Sequence, residues 1–182
     1  MDGTVERSLA KWPGVPAVHG WLSLDRRGNW LLKDAANGRF ERIGNQALNA
    51  YIARNYEVDS RGCWYFQNGP QRVYVSLAYT PLIARMDDAG FSDHCGRPLE
   101  PGAPEYLDDE GSVLIAAGRG VALLDDRDLA AYAARTGGAL DSLPAIARRD
   151  VPSRFGFTPD PGVLEALRQA SGILDARAKT PL

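Results

Sequence analysis

The nonamer LDRRGNWLL, beginning at Leu24, recurs as VDSRGCWYF from Val58 and, more loosely, as LDDEGSVLI from Leu107. Each copy reads apolar residue, Asp, two variable residues, Gly, one variable residue, then three largely apolar residues. Asp at the first and Gly at the fourth position of a turn is a type I signature. The carboxylate caps the turn, and Gly takes the positive φ of the bulge that follows. GWLSL before Asp25 and NYEV before Asp59 supply first arms; NWLL, CWYF and SVLI supply the second. The repeat therefore predicts three β-hairpins, with Trp30, Trp64 and Val113 at the same place in the period and facing one core. The central positions (Arg26-Arg27, Ser60-Arg61, Asp109-Glu110) vary, where a shared chemistry would need constancy. The nonamer reads as a folding device.

Two of the hairpins lead into similar helices. NQALNAYIARNY starts at Asn45, an N-cap residue type, and aligns Leu48, Tyr51, Ile52 and Tyr56 along one face. DDRDLAAYAARTGG starts at Asp125 or Asp126, aligns Leu129, Tyr132 and Ala133, and stops at Gly137-Gly138. The match of LNAYIAR with LAAYAAR points to an internal duplication. Residues 12–86 then form a first hairpin–helix–hairpin unit with a following strand, and 106–138 a second, similar hairpin–helix unit. Asn68-Gly69 marks a tight turn, RVYVSLAY a strand, and Pro81 its end. Residues 87–105, rich in Gly, Pro and Asp, read as a connecting loop, long enough to call for a function or mobility. Residues 139–182 read as a C-terminal appendage. Its one helix has Asp160 at N-cap, Pro161 at N1, and Val163, Leu164, Leu167 and Ala170 on one face. The fold class is α+β, mainly antiparallel sheet from repeated β-hairpins, with two hairpin-plus-helix units and a C-terminal helix.

A chain of 182 residues suits one large domain or two small ones sharing a core. The net charge of −2 comes with Lys and Arg scattered rather than striped, which argues against nucleic acid as a partner. The N-terminus lacks the apolar core of a signal peptide, and no run approaches a membrane span, so the expected setting is cytoplasmic, away from membranes. Two cysteines are no disulfide framework. Cys63 falls in a strand pattern and reads as core; Cys95 lies in a polar loop and reads as more exposed.

Catalytic signatures are sparse. The only histidines are His19 and His94. The best local constellation is Asp93-His94-Cys95 followed by Arg97, although adjacent side chains rarely aim at one another. His94 and Cys95 are therefore weak catalytic candidates against a plain polar loop. No C-x-x-C or H-x-x-x-H pair supports zinc, and no other metal or cofactor is expected. The acidic runs at Asp108–Glu110 and Asp125–Asp128 fit a turn and a helix start better than a cation loop. AAGRGVALL carries G-x-G between strand-like runs and reads as a hairpin turn rather than a phosphate loop. Trp12, Trp21, Trp30 and Trp64, with Tyr65, Tyr74 and Tyr79, fill a core before they line a groove. If a groove exists, Gln67, Asn68, Gln71 and Arg72 form its polar rim, where Arg72 suits a carboxylate or phosphate.

The segment GCWYFQNGPQRVYVSLAYTP, with WPGVPAVHGWLSLDRRGNW before it and GRP and LLDDRDL after it, resembles a family of uncharacterised proteobacterial proteins, a domain of unknown function. The likeness covers roughly residues 12 to 135. The order of Gly-x-Trp turn, short helix, Gly-x-Trp-x-Phe turn and Pro-ended strand is also loosely similar to a second uncharacterised bacterial family. Neither resemblance implies an activity, cofactor or catalytic residue. The leading expectation is a non-enzymatic cytoplasmic module that binds a small molecule or a protein through Asn68, Gln71, Arg72 and Arg97. The alternative is an enzyme with a site assembled from loops around His94, Cys95 and Arg97. A third reading is a homodimer joined through an unpaired sheet edge or the C-terminal helix.

Overall fold

The computed structural model describes residues 1–12, 14–88 and 90–178. The first sheet contains β1 (Val18–Leu24), β2 (Trp30–Lys33), β3 (Phe40–Arg42), β4 (Tyr56–Val58), β5 (Trp64–Asn68) and β6 (Gln71–Leu77), in the order β3-β2-β1-β6-β5-β4. The second contains β7 (Leu82–Asp87), β8 (Gly90–Asp93), β9 (Glu105–Asp108), β10 (Val113–Ala117), β11 (Gly120–Leu124) and β12 (Ala145–Ile146), in the order β12-β9-β10-β11-β7-β8. The fold is α+β. Its sheets are mostly antiparallel, but β1 runs parallel to β6, β11 to β7 and β12 to β9. The first sheet is thus two antiparallel meanders joined side by side through the β1–β6 parallel seam, and the second joins the β9–β11 meander to the β7–β8 hairpin through a parallel seam, with β12 added parallel at its edge. In the first sheet the crossover is α2 (Gln46–Arg54), which a parallel return requires.

The repeat forms the hairpin turns expected of it, and it occurs a fourth time. Asp25, Asp59 and Asp108 each accept, on Oδ1, the N–H groups two and four residues ahead, at 2.7–3.0 Å. Asp93 does the same with Cys95 N and Arg97 N, both at 2.9 Å. In all four the Gly N–H donates to the Asp carbonyl, at 2.8–3.2 Å, and that glycine has positive φ. The segment 87–105 is therefore not a plain connecting loop. It holds β8 and the Asp93 turn, after which Leu99 N donates to Phe91 O and the chain runs back beside β8. Its Gly, Pro and Asp content reflects consecutive tight turns.

The two sheets share one core. Trp30, Trp64 and Val113 are all buried in it, as their common place in the period predicts, along with Tyr56, Ile83 and Leu114. Trp30 meets Tyr56 edge to face at 4.9 Å, and Tyr56 meets Trp64 at 4.7 Å. Such ring pairs each add roughly 0.5–1.5 kcal/mol beyond area burial. Trp12 and Trp21, by contrast, are exposed.

The caps behave as the sequence predicts. Asn45 accepts from Leu48 N, Asp125 from Arg127 N, and Asp160 from Gly162 N and Val163 N. Asp125 opens a single 3₁₀ turn, and the helix α3 (Leu129–Arg135) follows it. The short N-terminal helix α1 (Gly3–Lys11) is pinned by Asp2 N donating to Asn55 Oδ1. Residues 139–157 belong to the body rather than to an appendage: β12 pairs with β9, and Val151, in α4 (Val151–Phe155), and Phe157 are core residues. The last helix, α5 (Pro161–Ala178), lies against β1 and β6, where Leu164 caps a second cluster of Cys63, Tyr65 and Tyr74. Val163 and Leu167 on that helix are 56% and 61% exposed.

Candidate functional site

The hairpin at Asn68 and the turn at His94 lie at different places on the molecule, and each assembles a group of polar side chains. On β5–β6 the pairing Gln67↔Arg72 and Asn68↔Gln71 leaves Gly69-Pro70 as a two-residue loop, with Gly69 at φ 55°. Asn68 and Arg72 are exposed, and Gln71 Nε2 donates to Pro16 O. Gln67 does not belong to the rim. It is 0% exposed, its Nε2 donates to Gly69 O, and its buried Oε1 has no partner.

Arg72 and Arg97 are linked through two residues between them, Tyr65 and Glu57. The Arg72 guanidinium lies over the Tyr65 ring at 4.6 Å. Tyr65 is the register partner of Glu57 on the edge strand β4, and Glu57 faces two arginines. Arg97 reaches it at 3.7 Å and Arg119, from the β10–β11 turn, at 3.6 Å. Arg119 also donates to Tyr56 O at 2.7 Å and stacks over Trp64 at 5.3 Å, latching the second sheet onto the outer edge of β4. Its Nη1 stands 3.9 Å from Asp93 and is buried without a hydrogen-bond acceptor. Burial raises the Asp93 carboxyl, opposed by the two backbone N–H groups it caps. Glu57 is thus a carboxylate at this edge not taken by a turn, set against two guanidinium groups, with Arg72 over its register partner Tyr65. Sequence reasoning missed Glu57 and Arg119. Arg119 sits at a hairpin tip with no local signal of its target, and Glu57 reads as an ordinary edge-strand residue.

The Asp93 turn brings His94 and Cys95 together, with Sγ 3.7 Å from Nε2. Both line a cavity of about 430 Å³ with Asn29, Arg42 and Asn49. The protonation pattern opposes activation. Ile83 N donates to His94 Nδ1 at 3.3 Å, so the neutral ring carries its proton on Nε2 and points it at the sulfur. Making imidazolium would set two donors against each other. Burial against Trp30 and Tyr56, helped by Arg97, drops the imidazole to about 3. Burial, with Asp93 and Glu57 nearby, pushes the thiol up to about 12. At pH 7 the thiol therefore stays protonated and is a weaker nucleophile than free cysteine. Among the described residues no group of three His, Cys, Asp or Glu side chains could hold a metal ion, and no helix is long and apolar enough to cross a membrane.

Fold and site together define a class: a two-sheet α+β protein of repeated Asp-turn meanders, with an arginine-flanked sheet edge and a neutral thiol–imidazole contact. The particular family follows from the sequence: the chain belongs to DUF2944, described as "Protein of unknown function (DUF2946)", whose model matches residues 1–162. A crystal structure of a DUF1285 family protein from Silicibacter pomeroyi DSS-3 is similar, with 14% identity and a TM-score of 0.48, covering 72% of this chain and 83% of that one. No curated protein matches. The description of the chain's family gives no activity, and the function of the chain is unknown.

Proposed function

We propose that the chain is a non-enzymatic cytoplasmic binding module. It takes a carboxylate- or phosphate-bearing small molecule, or a protein side chain of that chemistry, at the edge flanked by Arg72 and Arg97. The observation that carries this reading is the excess of cation there: Arg72 lies over Tyr65, and Arg97 and Arg119 both face Glu57, the register partner of Tyr65. Guanidinium forks suit planar oxyanions. Asn68 and Gln71, at the tip of the same hairpin, would supply neutral contacts. The cysteines are both unpaired, which suits a reducing compartment. The test is thermal unfolding with inorganic phosphate and with succinate. Either anion should raise the Tm of the wild type and leave Arg72→Ala and Arg97→Ala unmoved, while Arg72→Ala alone keeps nearly the wild-type Tm. An equal rise in both variants overturns the assignment, and a large loss of stability in Arg72→Ala makes that residue structural.

The enzyme reading, around His94, Cys95 and Arg97, has proximity in its favour and protonation against it. Alkylation at pH 7.4, followed at the Cys95 peptide by mass spectrometry, separates the two. Cys95 should react more slowly than free cysteine; faster reaction would restore a nucleophile.

A further inference from the structure

We propose a second binding site, independent of the arginine-flanked edge, for a free α-amino acid with an apolar side chain. A cavity of about 380 Å³ opens where the Asp25 turn of the first sheet meets the Asp108 turn of the second. That volume falls within the range of small-molecule sites, about 300–1,000 Å³. Its floor is aliphatic: Val113, Leu123 and Leu124, which are core residues, and Leu129 at the start of α3. Its mouth is framed by the variable positions of the two turns.

One side of the mouth is fixed. Arg26 donates to Ser112 Oγ at 3.0 Å, pairs with Glu110 at 3.6 Å and lies over the Tyr79 ring at 5.2 Å. Glu110 is held in turn by Arg148. The other side is a single contact, Arg27 Nη2 to Asp126 Oδ2 at 2.8 Å, with side chains 56% and 62% exposed. A pair so solvated is weakly held and opens readily.

The charge pattern at that pair selects the ligand. Arg127 beside this pair is already held by Asp125, so a monoanion placed on Arg27 would leave the Asp126 carboxylate beside a like charge, and a monocation on Asp126 would do the same to Arg27. A zwitterion replaces both halves at once: its carboxylate takes the Arg27 guanidinium, and its ammonium donates to Asp126. The side chain then lies on the four aliphatic residues, where a leucine or phenylalanine removes apolar surface from water and a polar side chain would strand its own groups. The inference rests on the chain being a binding module but uses none of the residues assigned to the edge site.

Isothermal titration of the full chain with L-leucine and L-phenylalanine tests it, beside L-glutamine, N-acetyl-L-leucine, which lacks the ammonium, and L-leucinol, which lacks the carboxylate. Leucine or phenylalanine should bind saturably, and each of the other three at least about ten-fold more weakly. Arg27→Gln and Asp126→Asn should each weaken leucine about ten-fold, with Tm nearly unchanged because both side chains are exposed. Leu129→Trp, which fills the cavity, should abolish binding. N-acetyl-leucine binding as tightly as leucine overturns the zwitterion, glutamine doing so overturns the apolar floor, and no saturable binding of any amino acid overturns the site. If phosphate still protects through Arg72 and Arg97 in that last case, the cavity inference falls alone; if neither probe binds, both fall.

Discussion

The turns at Asp59 and Asp108 have nearly the same backbone and different surroundings. In each the Gly N–H donates to the Asp carbonyl at 3.0 Å, and the Asp N–H closes the hairpin at 3.0 or 2.9 Å. A Cβ placed on Gly62 would stand 2.2 Å from Gly156 O and 2.9 Å from Phe157 Cα; one on Gly111 would meet nothing within 4 Å. The Asp25 turn resembles the first, since a Cβ on Gly28 would lie 2.7 Å from His94 Cβ, and the Asp93 turn resembles the second. One glycine therefore answers two demands. All four positions require positive φ, but only Gly28 and Gly62 also let another part of the chain come close. The repeat builds the turns everywhere and docks the chain at two of them.

Gly62→Ala should show the largest effect. Left-handed strain of about 1–2 kcal/mol adds to the displacement of backbone, which has no rotamer with which to yield, for a loss of roughly 3 kcal/mol or more. Gly28→Ala should follow closely, since the atom in the way is a β-carbon held by its own turn. Chemical denaturation of each measures this. A loss near 1 kcal/mol at Gly62 would mean that the 156–158 segment gives way and that the tight turn is no different from the open ones.

Much of this was legible. The Asp-x-x-Gly spacing identified three turns, the caps at Asn45, Asp125 and Asp160 could be read directly, and the shared core of Trp30, Trp64 and Val113 followed from the period. What escaped was non-local. Alternation reports a strand but not its neighbour, so the parallel joins of β1 with β6 and β11 with β7 left no trace. The fourth turn has the same spacing, Asp93 to Gly96, but Arg97-Pro98-Leu99 replaces the apolar arm, and His94 and Cys95 at its variable positions read as a chemical constellation. The central turn positions vary because each meets a different neighbour: Arg26 finds Glu110 and Ser112, and Arg61 finds Asp59 and Tyr74. Variation that rules out a shared chemistry is still compatible with individual tertiary roles.

The pairing of Gly28 with His94 can also be probed by pH. The imidazole sits at about 3 in the fold and near 6.5 unfolded, so its contribution is fully present above pH 6.5 and is lost as pH falls through 6.5 towards 3. The slope is at most about 1.4 kcal/mol per pH unit, giving roughly 2 kcal/mol by pH 5. Asp125, held at about 2 by Arg127, and the lowered Asp59 and Asp128 lose their contributions only below about pH 4. Asp93, raised by burial, works in the opposite sense. In His94→Asn the amide oxygen can still accept from Ile83 N, so subtracting its stability profile from that of the wild type isolates the imidazole. Parallel profiles between pH 6.5 and 5 would show that the ring charges without cost.

The smallest effects belong to the open turns. Gly96→Ala and Gly111→Ala meet no atom within 4 Å, so only the strain at φ 79° remains, about 1 kcal/mol each. The comparison with Gly62 is sharpest in the double variants. Lying in separate turns with different neighbours, Gly96→Ala and Gly111→Ala should add to within about 0.5 kcal/mol. Gly62→Ala with Phe157→Ala should not, because the buried Phe157 ring anchors the segment that Gly62 receives, and removing it lets Gly156 O retreat. Additivity at Gly62 would show that its cost is backbone strain alone, as at the open turns, and would remove docking from the role of the repeat.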